Sequence, residues 1–213
     1  MERTTEDRLR AEYFHLLPEV RLVVDELETE VKHCILPILH DLHEYERVEI
    51  ESRIKECESA VDALRRRQVG ATFDKEKPEL YTLTKLNDLA GVRILVFPRS
   101  LMPKVDEVLK NRFPSWTPDP VPSYVEEDPP LALKYHGFCS VSNKVRAEFQ
   151  IVPMLTGLFW QVEHSAIYKP SPELKGIARS LQMRQRTQEV LDALKDFEKE
   201  FEDLIGIQYE NVK

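Results

Sequence analysis

The amino-acid sequence predicts an α+β protein in which a β-sheet is flanked by helices, and three observations carry that prediction. Val48-Glu49-Ile50-Glu51-Ser52-Arg53-Ile54-Lys55 alternates apolar and polar residues with period two, the pattern of a strand with one face in the core. Val92 to Phe97 is aliphatic or aromatic except at Arg93, as in a strand buried on both faces. Both ends of the chain instead space their apolar residues by three and four, as amphipathic helices do: Leu22, Val23, Leu27 and Val31 near the start, and Leu181, Val190, Leu191, Leu194, Phe197, Phe201 and Leu204 near the end.

Taken in order, residues 4–45 predict two N-terminal helices that part at Pro18, since a proline interrupts the helical hydrogen-bond ladder. The strand at 48–55 follows, with Arg53 and Lys55 on one face, then a helix from Cys57 to Arg67, near whose start Ser59 and Asp62 have capping-box spacing. A loop around Gly70, a short helix near 80–88, the strand 92–97 and a helix from Ser100 to Phe113 come next. Residues 114–130 hold six of the chain's fourteen prolines and show no period, so they predict a long irregular segment of the kind that often covers a site. A hairpin of Tyr135–Ser142 and Lys144–Val152 turning at Asn143, a helix over Pro153–Tyr168 and a long helix over Pro172–Ile205 complete the reading.

Composition narrows the function. The net charge of −8 is concentrated at the start, where residues 1–50 hold 13 acidic against 6 basic side chains. That balance argues against a broad coat of phosphate contacts and favours a small anionic ligand at a local basic site. Cys34, Cys57 and Cys139 share no metal-ligand spacing and read as reduced thiols. His33, His40 and His43 lie along one helical side, but no second cluster completes a metal site with them. No apolar run reaches the ~18 residues of a membrane span, and Met1 to Asp7 lacks the order of a signal peptide, so a soluble, cytoplasmic protein is expected.

The charges inside the apolar stretches point to chemistry. Burying a lone guanidinium such as Arg93 costs on the order of 3 kcal/mol or more unless a partner or an anion meets it. Asp88, just before the strand, either closes a turn by pairing with Arg93 or projects toward a ligand. In Arg146-Ala147-Glu148-Phe149-Gln150-Ile151-Val152, Glu148 and Gln150 leave one face of a strand while Phe149 and Ile151 fill the core. If this strand neighbours 92–97, Asp88 and Glu148 converge beside Arg53, Lys55 and Arg93, a composition suited to Mg²⁺ and a polyphosphate. With only six glycines and no Gly-rich phosphate loop, side chains would have to bind the phosphates.

Four blocks in order resemble the alarmone synthetases with the RelA/SpoT nucleotidyltransferase domain. Arg53-Ile54-Lys55-Glu56-Cys57-Glu58-Ser59 is similar to that family's R-x-K-x-x-x-S, and Asp88-Leu89-Ala90-Gly91-Val92-Arg93 to its D-[LI]-A-G-[IV]-R. Glu148-Phe149-Gln150-Ile151 is similar to E-[IV]-Q-I, and Glu163-His164-Ser165-Ala166-Ile167-Tyr168-Lys169 to E-H-x-x-x-Y-K. The resemblance implies a nucleotidyltransferase-like mixed sheet in a domain over 46–170, with N-terminal helices over 1–45 and a C-terminal helical extension over 171–213.

The resemblance also implies a GTP pyrophosphokinase-like activity, the transfer of the β,γ-pyrophosphate of ATP to the 3′-hydroxyl of GDP or GTP to make (p)ppGpp. In that scheme Arg53 and Arg93 sandwich adenine, as planar guanidiniums suit. Lys55 and Ser59 hold the ATP phosphates, Asp88 ligates Mg²⁺, and Glu148 shares the metal or takes the hydroxyl proton. Tyr135 stacks on the acceptor base with Gln150 and Lys134 beside it, while His164, Tyr168 and Lys169 support the site. A homo-oligomer is compatible with the resemblance.

The acceptor half departs from the family pattern. Where relatives carry lysine-rich K-x-D-Y-I and P-K-x-N-x-Y-x-S-L-H segments, this chain has Glu126, Glu127 and Asp128 before Lys134-Tyr135-His136-Gly137-Phe138-Cys139, and Val152 stands where Q-I-R-T has arginine. Three readings stay open: a (p)ppGpp-type synthetase, a relative acting on adenine nucleotides or on the 3′ end of tRNA, and an inactive nucleotide-binding module. Asp88 and Glu148 weigh against the last. The acidic chain weighs against tRNA, leaving the guanosine nucleotide preferred.

Overall fold

A single helix, α1 (Thr5–His40), opens the chain where two were expected, with Pro18 and Pro37 inside it. The computed structural model describes residues 4–74, 77–123, 129–163 and 181–211. An interior proline costs a helix about 3 kcal/mol. Here one continuous stripe, including Leu9, Val20, Val23, Leu27, Val31 and Ile35, is buried on both sides of Pro18. At roughly 1.5–3 kcal/mol for each buried aliphatic side chain, keeping that stripe in register outweighs the break.

The acidic residues of α1 are connectors. Glu12 accepts from the Leu83 N–H at 3.1 Å, Glu26 from the N–H groups of Ser140 and Val141 at 3.0 Å each, and Glu30 from Arg112 at 2.7 Å. Part of the negative charge of the N-terminal region thus ties the rest of the chain to one helix.

Five strands form one mixed sheet: β1 (Arg47–Ile54), β2 (Ala90–Phe97), β3 (Thr117–Pro118), β4 (Leu133–Phe138) and β5 (Arg146–Pro153), in the order β1-β2-β5-β4-β3. The central pair β2–β5 is parallel, and the outer pairs are antiparallel. Between strands lie α2 (Cys57–Arg66) and α3 (Met102–Arg112); α4 (Met154–Glu163) follows β5, and α5 (Leu181–Asn211) ends the described chain. The short helix expected near 80–88 is two single 3₁₀ turns, Pro78–Leu80 and Leu83–Lys85. Residues 114–123 are not wholly irregular, because β3 and a bridge between Val121 and Ala132 extend the sheet edge. The hairpin is wider than a turn at Asn143, and the Ser142 hydroxyl accepts from the N–H groups of Lys144 and Val145 to close it.

Strand alternation divides the sheet into two unlike faces. Val92, Ile94, Phe149, Ile151 and Tyr135 go into the main core with α1 and α3. The other face is polar at one end and apolar at the other, where Leu95, Val152, Ala132 and Met154 make a small second core.

The C-terminal helix docks by only part of its apolar stripe. Leu191 is buried and the Phe201 ring lies 5.1 Å from that of Phe97, but Val190, Phe197 and Leu204 are exposed. One residue along a helix is about 100° of rotation, so facing Leu191 inward turns Val190 aside and brings Glu198, seven residues on, into the interface at 2 % exposure. No helix among the described residues is long and apolar enough to cross a membrane.

Candidate active site

The polar end of the sheet face is organised in two rows. Arg53, Gly91, Glu148 and His136 are register partners across β1, β2, β5 and β4, and one step along the strands come Glu51, Arg93, Gln150 and Lys134. Two residues along a strand return to the same face, so both rows point the same way. The alternation that buries Val92, Phe149 and Tyr135 on one side is therefore what assembles these charges on the other.

Glu148 is the centre. It is 6 % exposed. Its Oε1 accepts from Gln150 Nε2 at 2.5 Å and lies 3.5 Å from Arg53 Nη2, while its Oε2 is 3.8 Å from Lys134 Nζ. Burial pushes its carboxyl above the usual carboxylate range, and the charge of Asp88 adds to the rise against the opposing pull of Lys134, Arg53 and the Gln150 hydrogen bond. Arg53 reaches it because β2 carries Gly91 between them. A Cβ there would stand 3.3 Å from both Cγ and Nε of Arg53.

Asp88 pairs with Lys55, the short contact of the site, and not with Arg93. The turn-closing Asp88–Arg93 pair considered for the sequence is absent, because Lys55 leaves the end of β1 held by its own N–H to the Leu89 carbonyl at 2.9 Å. The second oxygen of Asp88, Oδ1, is buried with no hydrogen-bond partner. An unpaired buried carboxylate oxygen within electrostatic reach of a second, desolvated carboxylate suits a divalent cation such as Mg²⁺.

Arg93 is half-buried, and its Nε has no hydrogen-bond partner. Burial, then the neighbouring Arg53, lowers its proton affinity, while Glu51 and Glu148 oppose that change. Both arginines line an open cavity of about 540 Å³ together with Glu51, Ser52, Trp160, Gln161 and Glu163. Gln161 donates to both oxygens of Glu51 at 3.1 and 2.9 Å, tying α4 to β1. Burial raises the carboxyl of Glu163. Two half-free guanidiniums and an indole around one cavity suit a flat, electron-rich base.

Several expectations need correction or fall elsewhere. Tyr135 does not face the site. It is 6 % exposed, its ring stacks on Phe149 at 4.9 Å, and its hydroxyl donates to Asp106 Oδ1 at 2.6 Å. The alternation Leu133-Lys134-Tyr135-His136 already carried that signal, because it puts Tyr135 on the side of Leu133. Ser59 is inside the first turn of α2, whose N-cap is Glu56 with no side-chain cap bond, so the Ser59/Asp62 capping box is not formed. Asp62 instead pairs with Arg65 and Arg66 at 2.5 and 3.0 Å. His164, Tyr168, Lys169, Glu126, Glu127 and Asp128 lie outside the described residues. Trp160, Gln161, His136 and Asp119, which the sequence did not single out, are all at or beside the site.

No protein-family model and no curated protein matches the chain. Solved structures do. The small alarmone synthetase 1 from Bacillus subtilis is 20% identical, covers 94% of this chain and 99% of its own, and superposes with a TM-score of 0.67. That protein has also been solved bound to AMPCPP and to its product pppGpp. A GTP pyrophosphokinase family protein from Streptococcus pneumoniae is 18% identical over 93% of this chain and 95% of its own, with a TM-score of 0.63. From α1 to α5, this chain has the fold of the small alarmone synthetases.

Proposed function

We propose that the protein is an ATP-dependent pyrophosphotransferase that moves the β,γ-pyrophosphate of ATP to the 3′-hydroxyl of a guanosine nucleotide, GDP or GTP. The observation that carries this reading is the meeting of Asp88 and Glu148 with Lys55, Arg53 and Lys134 on one face, beside a cavity walled by two arginines and Trp160. A fold relative that has been solved bound to AMPCPP and to its product pppGpp adds support.

In this reading ATP lies with its base in the cavity and its phosphates along Arg53, Lys55 and the end of β1. The acceptor 3′-oxygen attacks the β-phosphorus, the bond from that phosphorus to the α,β-bridging oxygen breaks, and AMP leaves. Glu148 takes the hydroxyl proton. Its burial serves that role, because a carboxylate of raised proton affinity is a better acceptor of a proton near neutral pH. Asp88, through its unpaired Oδ1, would hold Mg²⁺, which when bound neutralises charge building on the transferred group. Gln150 keeps Glu148 oriented through their hydrogen bond.

A second reading keeps the donor half and changes the acceptor to an adenine nucleotide or a tRNA 3′ end. The inward ring of Tyr135 favours considering it, since the base-stacking contact implied for guanosine is not on the site face. One experiment decides: labelled ATP and Mg²⁺ with GDP, GTP, ATP and tRNA as acceptors, reading AMP and the 3′-pyrophosphorylated product. Transfer to GDP or GTP is expected. Transfer only to ATP or tRNA selects the second reading, and no AMP with any acceptor removes both.

A further inference from the structure

The side of Glu148 away from the cavity carries charge that the donor does not use. His136 follows Glu148 in its row and Lys134 follows Gln150 in the next, both on β4. Lys134 Nζ lies 2.7 Å from Asp119 Oδ2 and 3.8 Å from Glu148 Oε2. Asp119 comes from the proline-rich stretch just after β3, held there by its N–H to the Lys134 carbonyl at 2.8 Å. The hydrogen bond from Lys134, with the charges of Lys134, His136 and Arg67, draws the Asp119 carboxyl below its usual range. Lys134 therefore sits between two carboxylates, Glu148 on the site face and Asp119 at the sheet edge. His136 Nδ1 is buried without a hydrogen-bond partner, leaving a polar atom unused beside the catalytic glutamate.

We propose that Lys134 and His136 form a phosphate subsite for the acceptor, and that Asp119 is an internal anion which occupies it and competes with the acceptor's phosphate. The subsite belongs to the acceptor because the strand order places the cavity at β1 and β2, the carboxylates at β2 and β5, and Lys134 and His136 on β4, with Asp119 just after β3. An ATP with its base in the cavity ends its reach at Asp88 and Glu148. Recognition by phosphate also fits the placement of Tyr135 in the core and not on the acceptor side. Asp119 is suited to yield, since its side chain is 54 % exposed and bound by one ion pair, whereas Lys134 is 21 % exposed.

The inference rests on the pyrophosphotransferase reading but is tested apart from it. The full chain is titrated calorimetrically with inorganic pyrophosphate as wild type, Asp119→Asn and Asp119→Asn/Lys134→Met. The expected result is about 3- to 10-fold tighter binding in Asp119→Asn, lost again in the double variant; Asp119→Ser repeats the comparison with a smaller side chain. Equal or weaker binding in both single variants overturns the subsite, as does a gain that survives loss of Lys134. In the transfer assay, Asp119→Asn should lower the acceptor KM several-fold at unchanged ATP KM, and a fall in the ATP KM instead would assign the bases to the donor and overturn the proposal. Absence of any transfer in wild type defeats the function reading, while the pyrophosphate titration still decides this one.

Discussion

Burial, and after it the charge of Asp88 just before β2, raises the proton affinity of Glu148. The two carboxylates approach within electrostatic reach inside the protein, Lys55 holding the first and Gln150 the second. Two acids kept this near each other, with one oxygen unpaired, are stable only because cations surround them, and they are primed for a ligand of opposite charge.

Replacing either carboxylate should stop transfer without unfolding the protein. Asp88→Asn and Glu148→Gln are each expected to lower the rate at least about 10²-fold, since each removes a charge from the point where the reacting group is held. AMP release measured alongside circular dichroism checks this; a near-wild-type rate in either variant would displace the active site.

The donor cavity predicts a paired effect. Arg53→Ala and Arg93→Ala should each weaken binding of a non-hydrolysable ATP analogue by more than about 1 kcal/mol, through loss of cation–π and stacking contact with the base. Trp160→Ala should act in the same direction, because the indole lines the same cavity. Calorimetric titration decides, with unchanged affinity in all three counting against the base site.

Tyr135 provides a test of face. Its ring is packed on Phe149, so Tyr135→Ala should destabilise by about 3–5 kcal/mol in urea or guanidinium unfolding, as large aromatic truncations do. Tyr135→Phe keeps the ring and loses only the bond to Asp106, and its acceptor KM should stay at the wild-type value. A large rise in acceptor KM for Tyr135→Phe at unchanged stability would return this residue to the substrate.

The buried Glu198 makes the docking of α5 sensitive to pH. Burial raises its carboxyl to about 7, with Arg99 opposing and Glu202 adding to the shift. The folded state therefore binds a proton that the unfolded chain releases near the ordinary carboxylate value. Stability from this group is full at low pH and is lost as pH rises toward about 7. Glu198→Gln should raise the melting temperature at pH 8 and leave it nearly unchanged at pH 4.5, and equal behaviour of the two proteins at pH 8 would contradict the burial.

What the sequence disclosed and what it withheld divide by range. The period-two run at 48–55 and the buried run at 92–97 located β1 and β2 to within two residues, because alternation is written locally. The continuity of α1 through Pro18 was hidden, since it depends on burial against strands far along the chain. Glu148 was readable from its alternation with Phe149, yet the same rule applied one strand earlier would have turned Tyr135 inward. Trp160 and Asp119 had no local signal. Their places are set by how α4 crosses the sheet and how the edge after β3 runs, both long-range matters.

Gly91 has a consequence for how the two halves of the site communicate. Neighbouring strands stand about 4.8 Å apart, so β1 and β5 are separated by nearly 10 Å. With no side chain on the intervening strand, the guanidinium of Arg53 spans that gap and touches Glu148 directly. In the proposed reaction, a nucleotide that draws Arg53 toward its base would withdraw positive charge from Glu148 with no backbone displacement. A side chain at 91 would press on Arg53 and weaken that contact, so a bare backbone at this position is what would couple donor occupancy to the proton affinity of Glu148.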